Sequence, residues 1–368
     1  MLTFLSVALL VYSAMHLYAL GKVWRAFPHS RALAVALVAA GITLTLSPLF
    51  VALLETQGWR SISAAAGWVS YTWMGFLVLF LCIGLLFDLC HALAALLRLG
   101  WPLSDALAFR AVSLLSLALL GYGFVEAQQI QVERIDIATP KLATGRVTIA
   151  QISDLHVGTM AGERFLDRII TRLRELKPDI LVATGDIVEG HGGDLDALAP
   201  RFRSYAPPYG AYAVIGNHEN FGGAENALRF LHTAGFTVLR GESAKAGGIV
   251  LAGIDDSRAL VSAQQARPDI RRLRASLTAN DYIVLLKHQP VVDNEIPFDL
   301  QLSGHIHGGQ IFPLVFMTTL IYGVHAGLTR LADGRLLYVS RGAGTWGPPI
   351  RVFAPPEITL VTISSTNK

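Results

Sequence analysis

The first 127 residues of this 368-residue chain carry almost no Asp, Glu, Lys or Arg. No soluble fold accommodates that, because a water-facing surface needs charge. Crossing a bilayer takes about 20 apolar residues, since the hydrocarbon core is about 30 Å thick and a helix rises about 1.5 Å per residue. Four such runs can be read: Met1 to Leu20, Ala32 to Leu54, Gly67 to Leu97 and Ala106 to Val125. The first lacks the positive flank and the small-residue cleavage site of a signal peptide, so it reads as a retained span. Pro48 lies within the second, where membrane helices tolerate it. Arg110 lies in the first turns of the fourth and must snorkel to the interface.

This charge deficit is local. Over the whole chain 52% of residues are hydrophobic and 15% are charged, with mean hydropathy +0.47. A soluble domain carries roughly 25% charge, and residues beyond about 127 have that ordinary composition. The sequence therefore divides into a membrane region (1–127), a connecting strand and turn (128–145), a soluble domain (146–363) and a tail (364–368). Net charge is +3, with no Lys/Arg block interleaved with aromatics, so no nucleic-acid partner is expected. Cys82 and Cys90 both lie in the apolar third. The rest of the chain thus has neither a disulfide framework nor a thiolate metal site.

Loop charges orient the spans. Lys22, Arg25 and Arg31 lie in the first loop, and Arg98 and Arg110 lie around the third. The second offers only Arg60, beside Glu55. The positive-inside rule puts loops one and three in the cytoplasm. Four spans then leave both termini outside, with the large domain extracytoplasmic, as for a multi-pass protein of a bacterial inner membrane. Asp88 and His91, three apart near the inner end of the third span, read first as an interfacial hydrogen-bonded pair. No further charges build a relay through the bundle, which disfavours a transporter.

Beyond the membrane region, Ile130 to Ile137 alternates like a half-buried strand. Strands follow at Arg146–Ser153, Ile180–Thr184, Ala211–Ile215, Val250–Ile254, Tyr282–Leu286, Leu300–Ser303, Leu336–Ser340 and Ile358–Ile363. Phe165–Leu176 and Ala224–Ala234 read as helices. Five polar fragments sit where these strands end: Asp154-Leu155-His156, Gly185-Asp186, Gly216-Asn217-His218-Glu219, Lys287-His288 and Gly304-His305-Ile306-His307. Strand ends are where α/β sheets gather ligands. Side chains at i and i+2 of an extended segment share a side, so His305 and His307 can reach one spot. Carboxylate, imidazole and amide without thiolate suit Mn, Fe, Zn or Mg. Seven such ligands are too many for one ion and natural for two.

The five blocks, in this order, resemble the calcineurin-like metallophosphoesterases, whose pattern is D-x-H, G-D, G-N-H-[D/E], H and G-H-x-H. The resemblance covers roughly Arg146 to Ile363. It is nearest to a membrane-associated bacterial branch, through Ile152 to His156, Gly304 to Gln310 and Pro355-Pro356-Glu357. It implies a four-layer αββα sandwich after the four-span helical region. It also implies two divalent cations, one on Asp154, His156, Asp186 and His307, the other on Asp186, Asn217, His288 and His305. Asp186 would bridge them, and a metal-bridging hydroxide would attack a phosphomono- or phosphodiester. His218 would bind the phosphoryl oxygen or protonate the leaving oxygen, with Glu219 orienting it. The expected partners are the lipid bilayer and a phosphoester substrate, whose linkage to lipid stays open. His191, His325, Arg341 and Trp346 could also line the cleft, although packing or solvent explains each as well. His16, His29 and His232 have no evident partners. The competing reading is an idle metal-binding module or membrane sensor on the same fold.

Overall fold

Two stretches of unlike hydropathy form two units in the computed structural model, which describes residues 2–158, 160–189, 195–221, 224–256 and 263–367. One unit comprises the chain up to Glu126 with Gly347–Val352; the other comprises Ala127–Trp346 and Phe353–Lys368.

The first unit contains α1 (Leu2–Ala26), α2 (Arg31–Thr56), α3 (Arg60–Leu96) and α4 (Asp105–Glu126). Each is long and apolar enough to cross a membrane. The fourth helix therefore includes the residues before Arg110. Large apolar side chains such as Leu10, Leu17, Val35 and Val69 point outward, while Ser63, Ser70 and Ser116 are buried. That inverts the soluble pattern and suits a lipid surround, where small polar residues allow helices to pack closely. His16 has partners the sequence did not reveal: Trp73 Nε1 donates to its Nε2 at 2.9 Å, and its Nδ1 lies 2.9 Å from the Tyr12 carbonyl. His29 stacks on Trp24 and His91 on Trp101. Asp88 takes an ion pair from Lys22 and a hydrogen bond from Tyr18, so it does not pair with His91. The Lys22–Asp88 contact brings the ends of α1 and α3 together. Trp68, early in α3, stacks near Phe124, late in α4, so these two helices run antiparallel.

The second unit is built on two six-stranded sheets. The first contains β1 (Gln131–Thr139), β2 (Arg146–Ile152), β3 (Ile180–Thr184), β4 (Ala211–Val214), β5 (Phe236–Val238) and β12 (Glu357–Ser365), in the order β1-β12-β2-β3-β4-β5. The second contains β6 (Glu242–Ala246), β7 (Ile249–Ile254), β8 (Ile283–Lys287), β9 (Leu300–Ser303), β10 (Gly327–Arg330) and β11 (Leu336–Val339), in the order β10-β11-β9-β8-β7-β6. Strands β2 to β5 are mutually parallel, as are β7, β8, β9 and β11.

Period-two alternation sorts the side chains into layers. Val147 and Ile149 of β2 join Val284 and Leu286 of β8 in a core between the sheets. Ala150 and Ile152 turn the other way, toward α5 (Glu163–Leu176), α6 (Leu195–Arg203) and α8 (Ala224–Thr233). Helix α5 buries Leu166, Ile169, Ile170 and Leu173, the i, i+3, i+4, i+7 stripe of a helix packed on one face. Beyond the second sheet, Ile283 and Leu285 pack with Leu273 of α9 (Ala263–Ser276). The result is the αββα sandwich the resemblance implied. Short α7 (Asn217–Phe221) and the apolar α10 (Leu314–Tyr322) complete the unit.

Candidate active site

The carboxyl ends of β2, β3, β4, β8 and β9 lead directly into the five polar fragments, and backbone hydrogen bonds lock these ends together. Asp154 N donates to Gly185 O at 3.1 Å, His156 N to Asp186 O at 3.0 Å, and Gly304 N to His288 O at 2.9 Å. Two glycines permit this approach. A Cβ on Gly304 would overlap Ser153 Oγ and Asp154 Oδ2, and one on Gly185 (φ +89°) would lie 2.7 Å from His288 Nδ1. Asp154, His156, Asp186, His305 and His307 all adopt left-handed backbone, with φ between +49° and +75°.

Asp154, His156, Asp186, Asn217, His288 and His307 are buried, and His305 is half-buried. The ligand atoms of Asp154, His156 and His307 lie within 4.8 Å of one another, and so do those of Asp186, His288 and His305. Ring orientations are set from outside. His288 Nδ1 is 2.8 Å from the Thr184 carbonyl, which can only accept. Its Nδ1 therefore carries the hydrogen, and Nε2 turns toward Asp186 Oδ2 at 3.0 Å. His156 Nδ1 is 2.7 Å from Glu189 Oε2, so its Nε2 likewise faces inward.

Two pairs of ring nitrogens meet there: His156 Nε2 with His307 Nε2, and His288 Nε2 with His305 Nδ1, each 3.1 Å apart. Converging lone pairs need a proton or a cation between them. The buried Asn217 Oδ1 has no hydrogen-bond partner among the described residues, as expected of an oxygen kept for a metal. This oxygen- and imidazole-rich donor set fits divalent cations.

Glu219 departs from the sequence reading. Both Glu219 carboxylate oxygens accept from backbone: Oε2 from Asp186 N and Gly216 N, Oε1 from Ile187 N and Val188 N. Glu219 thus anchors the loop bearing Asp186 and does not orient His218. The orienting carboxylate is Glu189, whose Oε1 lies 2.9 Å from His218 Nδ1 while its Oε2 holds His156. Burial alone would lower the His218 pKa. The Glu189 hydrogen bond and the charges of Glu189, Asp186 and Glu219 instead push it up to about 9. Burial alone would raise the Glu189 carboxyl, yet its bonds to His156 and His218 hold it well below the usual carboxylate range.

The two glutamates should therefore respond differently to amidation. Glu189→Gln leaves the fold intact but weakens cation binding at His156 by about 10–100-fold, the usual effect of losing a carboxylate behind a ligating imidazole. Glu219→Gln sets an NH₂ against backbone donors, costing about 1–3 kcal/mol of stability. Metal titration beside thermal melts of the chelated protein checks both. Equal melting losses would remove the distinction.

Other residues are positioned as follows. Tyr322 OH is 2.6 Å from His305 Nε2, a contact no motif announces. Trp346 sets its ring edge-on to His218 at 5.5 Å. Gln310 clasps the Trp346 backbone through both its amide atoms, at 3.1 and 2.9 Å. Arg341 pairs with Glu133 and, at 2.8 Å, with the buried Glu357, so the late Pro-Pro-Glu motif is part of a structural ion pair. His325 lies 3.0 Å from Thr319 Oγ1 on the surface, His232 is exposed, and His191 lies outside the described residues.

Known proteins resemble the chain over the segment that carries these fragments. The family model of the calcineurin-like phosphoesterases matches residues 147–309. An uncharacterized metallophosphoesterase of Aquifex aeolicus is 40% identical over 251 residues, which is 67% of this chain and 96% of that protein. One from Helicobacter pylori is 33% identical, over 68% of this chain and 70% of its own length. A transmembrane protein with metallophosphoesterase domain from Danio rerio is 30% identical, over 80% of this chain and 73% of its own.

Proposed function

Since the chain belongs to the calcineurin-like phosphoesterases, we propose that it is a membrane-anchored, dinuclear metal-dependent hydrolase of phosphomono- or phosphodiesters. The observation that carries this reading is the convergence of four imidazoles, two carboxylates and one amide from five strand ends. Asp154, His156, Asp186 and His307 would hold one divalent cation. Asp186, Asn217, His288 and His305 would hold the other, with the two Asp186 oxygens shared between them. When bound, such a pair supplies Lewis acidity and makes water a usable nucleophile near neutral pH.

The chain's own residues do the rest. Asp154 accepts the His305 backbone N–H on both oxygens, at 3.0 Å each, which ties the β2 and β9 ends into one cradle. Thr184 and Glu189 fix the His288 and His156 rings, and His218 stands beside the cradle with its Nδ1–H held by Glu189. Its Nε2 is then the atom that can give a proton to the departing oxygen. Full-length protein in detergent should hydrolyse bis-p-nitrophenyl phosphate in a reaction that chelation abolishes and Mn, Fe, Zn or Mg restores. Absence of turnover with all four, for this diester and for the monoester p-nitrophenyl phosphate alike, would leave the idle-module reading in its place.

We further propose that the chain resides in a bacterial inner membrane with its catalytic unit outside the cytoplasm. Loop charges support this. A C-terminal alkaline phosphatase fusion should be active and a green fluorescent protein fusion dark. A bright fluorescent fusion with an inactive phosphatase would reverse the orientation.

A further inference from the structure

Soon after the His305–His307 segment the chain makes a helix whose apolar outer face stands exposed among the described residues. Helix α10 has no buried residue. Phe316 is 66% exposed, Met317 52%, Leu320 85% and Ile321 64%. Phe312, itself exposed, sets its ring against Phe316 at 5.7 Å and against the exposed Phe353 at 6.1 Å, extending the apolar surface. From Leu300 to Thr329 the sequence has no Asp, Glu, Lys or Arg. The last residue of the helix, Tyr322, hydrogen-bonds His305, so this surface ends at the site itself. Trp346, half-exposed beside His218, is a second aromatic at the same site.

A contiguous apolar patch of this kind marks a protein or membrane contact, and two features favour membrane. Outward Phe, Leu and Ile with no charge nearby carry no penalty for leaving water, and Tyr and Trp at the margin are the residues enriched at membrane–water interfaces. The chain also supplies its own bilayer: four helices qualify as spans, and only residues 127–130 separate α4 from β1. That linker reaches about 14 Å fully extended, which keeps the catalytic unit tethered to the membrane it works beside.

We propose that α10, with Phe312 and Phe353, inserts into the interfacial layer of the bilayer and presents membrane-resident, acyl- or alkyl-bearing phosphoesters to the metal site. This rests on the phosphoesterase reading for its chemistry and deepens it by naming the substrate class. The apolar chain stays among lipids and α10 side chains, and the phosphoester reaches the cradle beside Tyr322.

Two arms test it with the full-length protein in phosphatidylcholine–phosphatidylglycerol nanodiscs. For the first, Cys82 and Cys90, the only cysteines, are replaced by serine, and a fluorophore is attached through Leu320→Cys or, as control, Ala332→Cys on an exposed turn. Doxyl lipids should quench the label at 320 and iodide should not, with the reverse at 332. Iodide quenching at 320 equal to that at 332 overturns insertion. Quenching by neither agent means that protein covers the helix, and it overturns the lipid occupant too.

The second arm compares methyl and hexadecyl p-nitrophenyl phosphates, which share a leaving group and differ only in chain. The wild type should favour the hexadecyl ester by about tenfold or more in kcat/KM, the scale of burying a few methylenes. Leu320→Glu should abolish that preference with the methyl ester unchanged. Equal rates for both esters in the wild type overturn the inference and leave the phosphoesterase reading standing. If neither ester is hydrolysed the substrate class fails, p-nitrophenyl phosphate assayed alongside decides whether the phosphoesterase reading fails with it, and the quenching still decides where α10 lies.

Discussion

Asp186→Asn should lose both cations and the activity together while the fold survives. The Asp186 carboxylate is buried, with one oxygen 3.0 Å from His288 Nε2 and the other accepting the His218 backbone N–H at 2.8 Å. An asparagine of the same shape can keep the second bond through its oxygen and turn its NH₂ to the His288 nitrogen. What it cannot do is offer an anionic oxygen to each of two cations. Metal content by ICP-MS should drop from about two per chain toward none, and kcat/KM should fall by about 10³-fold or more, several kcal/mol of lost charge stabilisation. The metal-free variant should melt with the chelated wild type. Retention of both ions with full activity would refute the bridging assignment.

His218→Ala should behave in the opposite way, keeping both cations and losing turnover. The imidazole belongs to neither ligand set, and its backbone N–H, which an alanine retains, is what supports Asp186. If its side chain protonates the leaving oxygen, kcat should fall by roughly 10²–10⁴ for alkyl phosphoesters. The loss should shrink for p-nitrophenyl esters, which depart without a proton. A loss independent of leaving group would assign His218 to the phosphoryl oxygens instead, and an unchanged kcat would remove it from the reaction.

The reason these sites could be named from sequence is that each proposed ligand follows a strand. Where hydrophobic runs such as Ile180–Thr184 and Val250–Ile254 stop, the polar residues that come next have to lie at a sheet edge. The fourth span was legible from apolar content alone despite Arg110. What was hidden depends on long-range geometry. Glu189 sits in a loop of no regular period, 33 residues from His156 and 29 from His218, and Glu219, next to His218 in the sequence, was the natural but wrong partner. A helix begins at Asn217 and carries these two neighbouring side chains to different sides, so adjacency in sequence misleads there. The short strands β5, β6 and β10 went unread because three to five residues, partly polar, give too little alternation to detect. Helix α10 was unreadable for another reason: an apolar run of nine residues between two motifs looks like core.

The left-handed backbone at five of the seven proposed ligand positions bears on more than catalysis. For an L-residue that conformation costs about 1–2 kcal/mol, somewhat less for Asp. Summed over Asp154, His156, Asp186, His305 and His307, it is a sizeable part of the roughly 5–15 kcal/mol that keeps a domain folded. Cations held there would offset it by mass action, as any native-state ligand does. Thermal stability of this unit and occupancy of its site are therefore one linked quantity. A glycine at His307 should give an inactive protein whose metal-free form outlasts the metal-free wild type on heating.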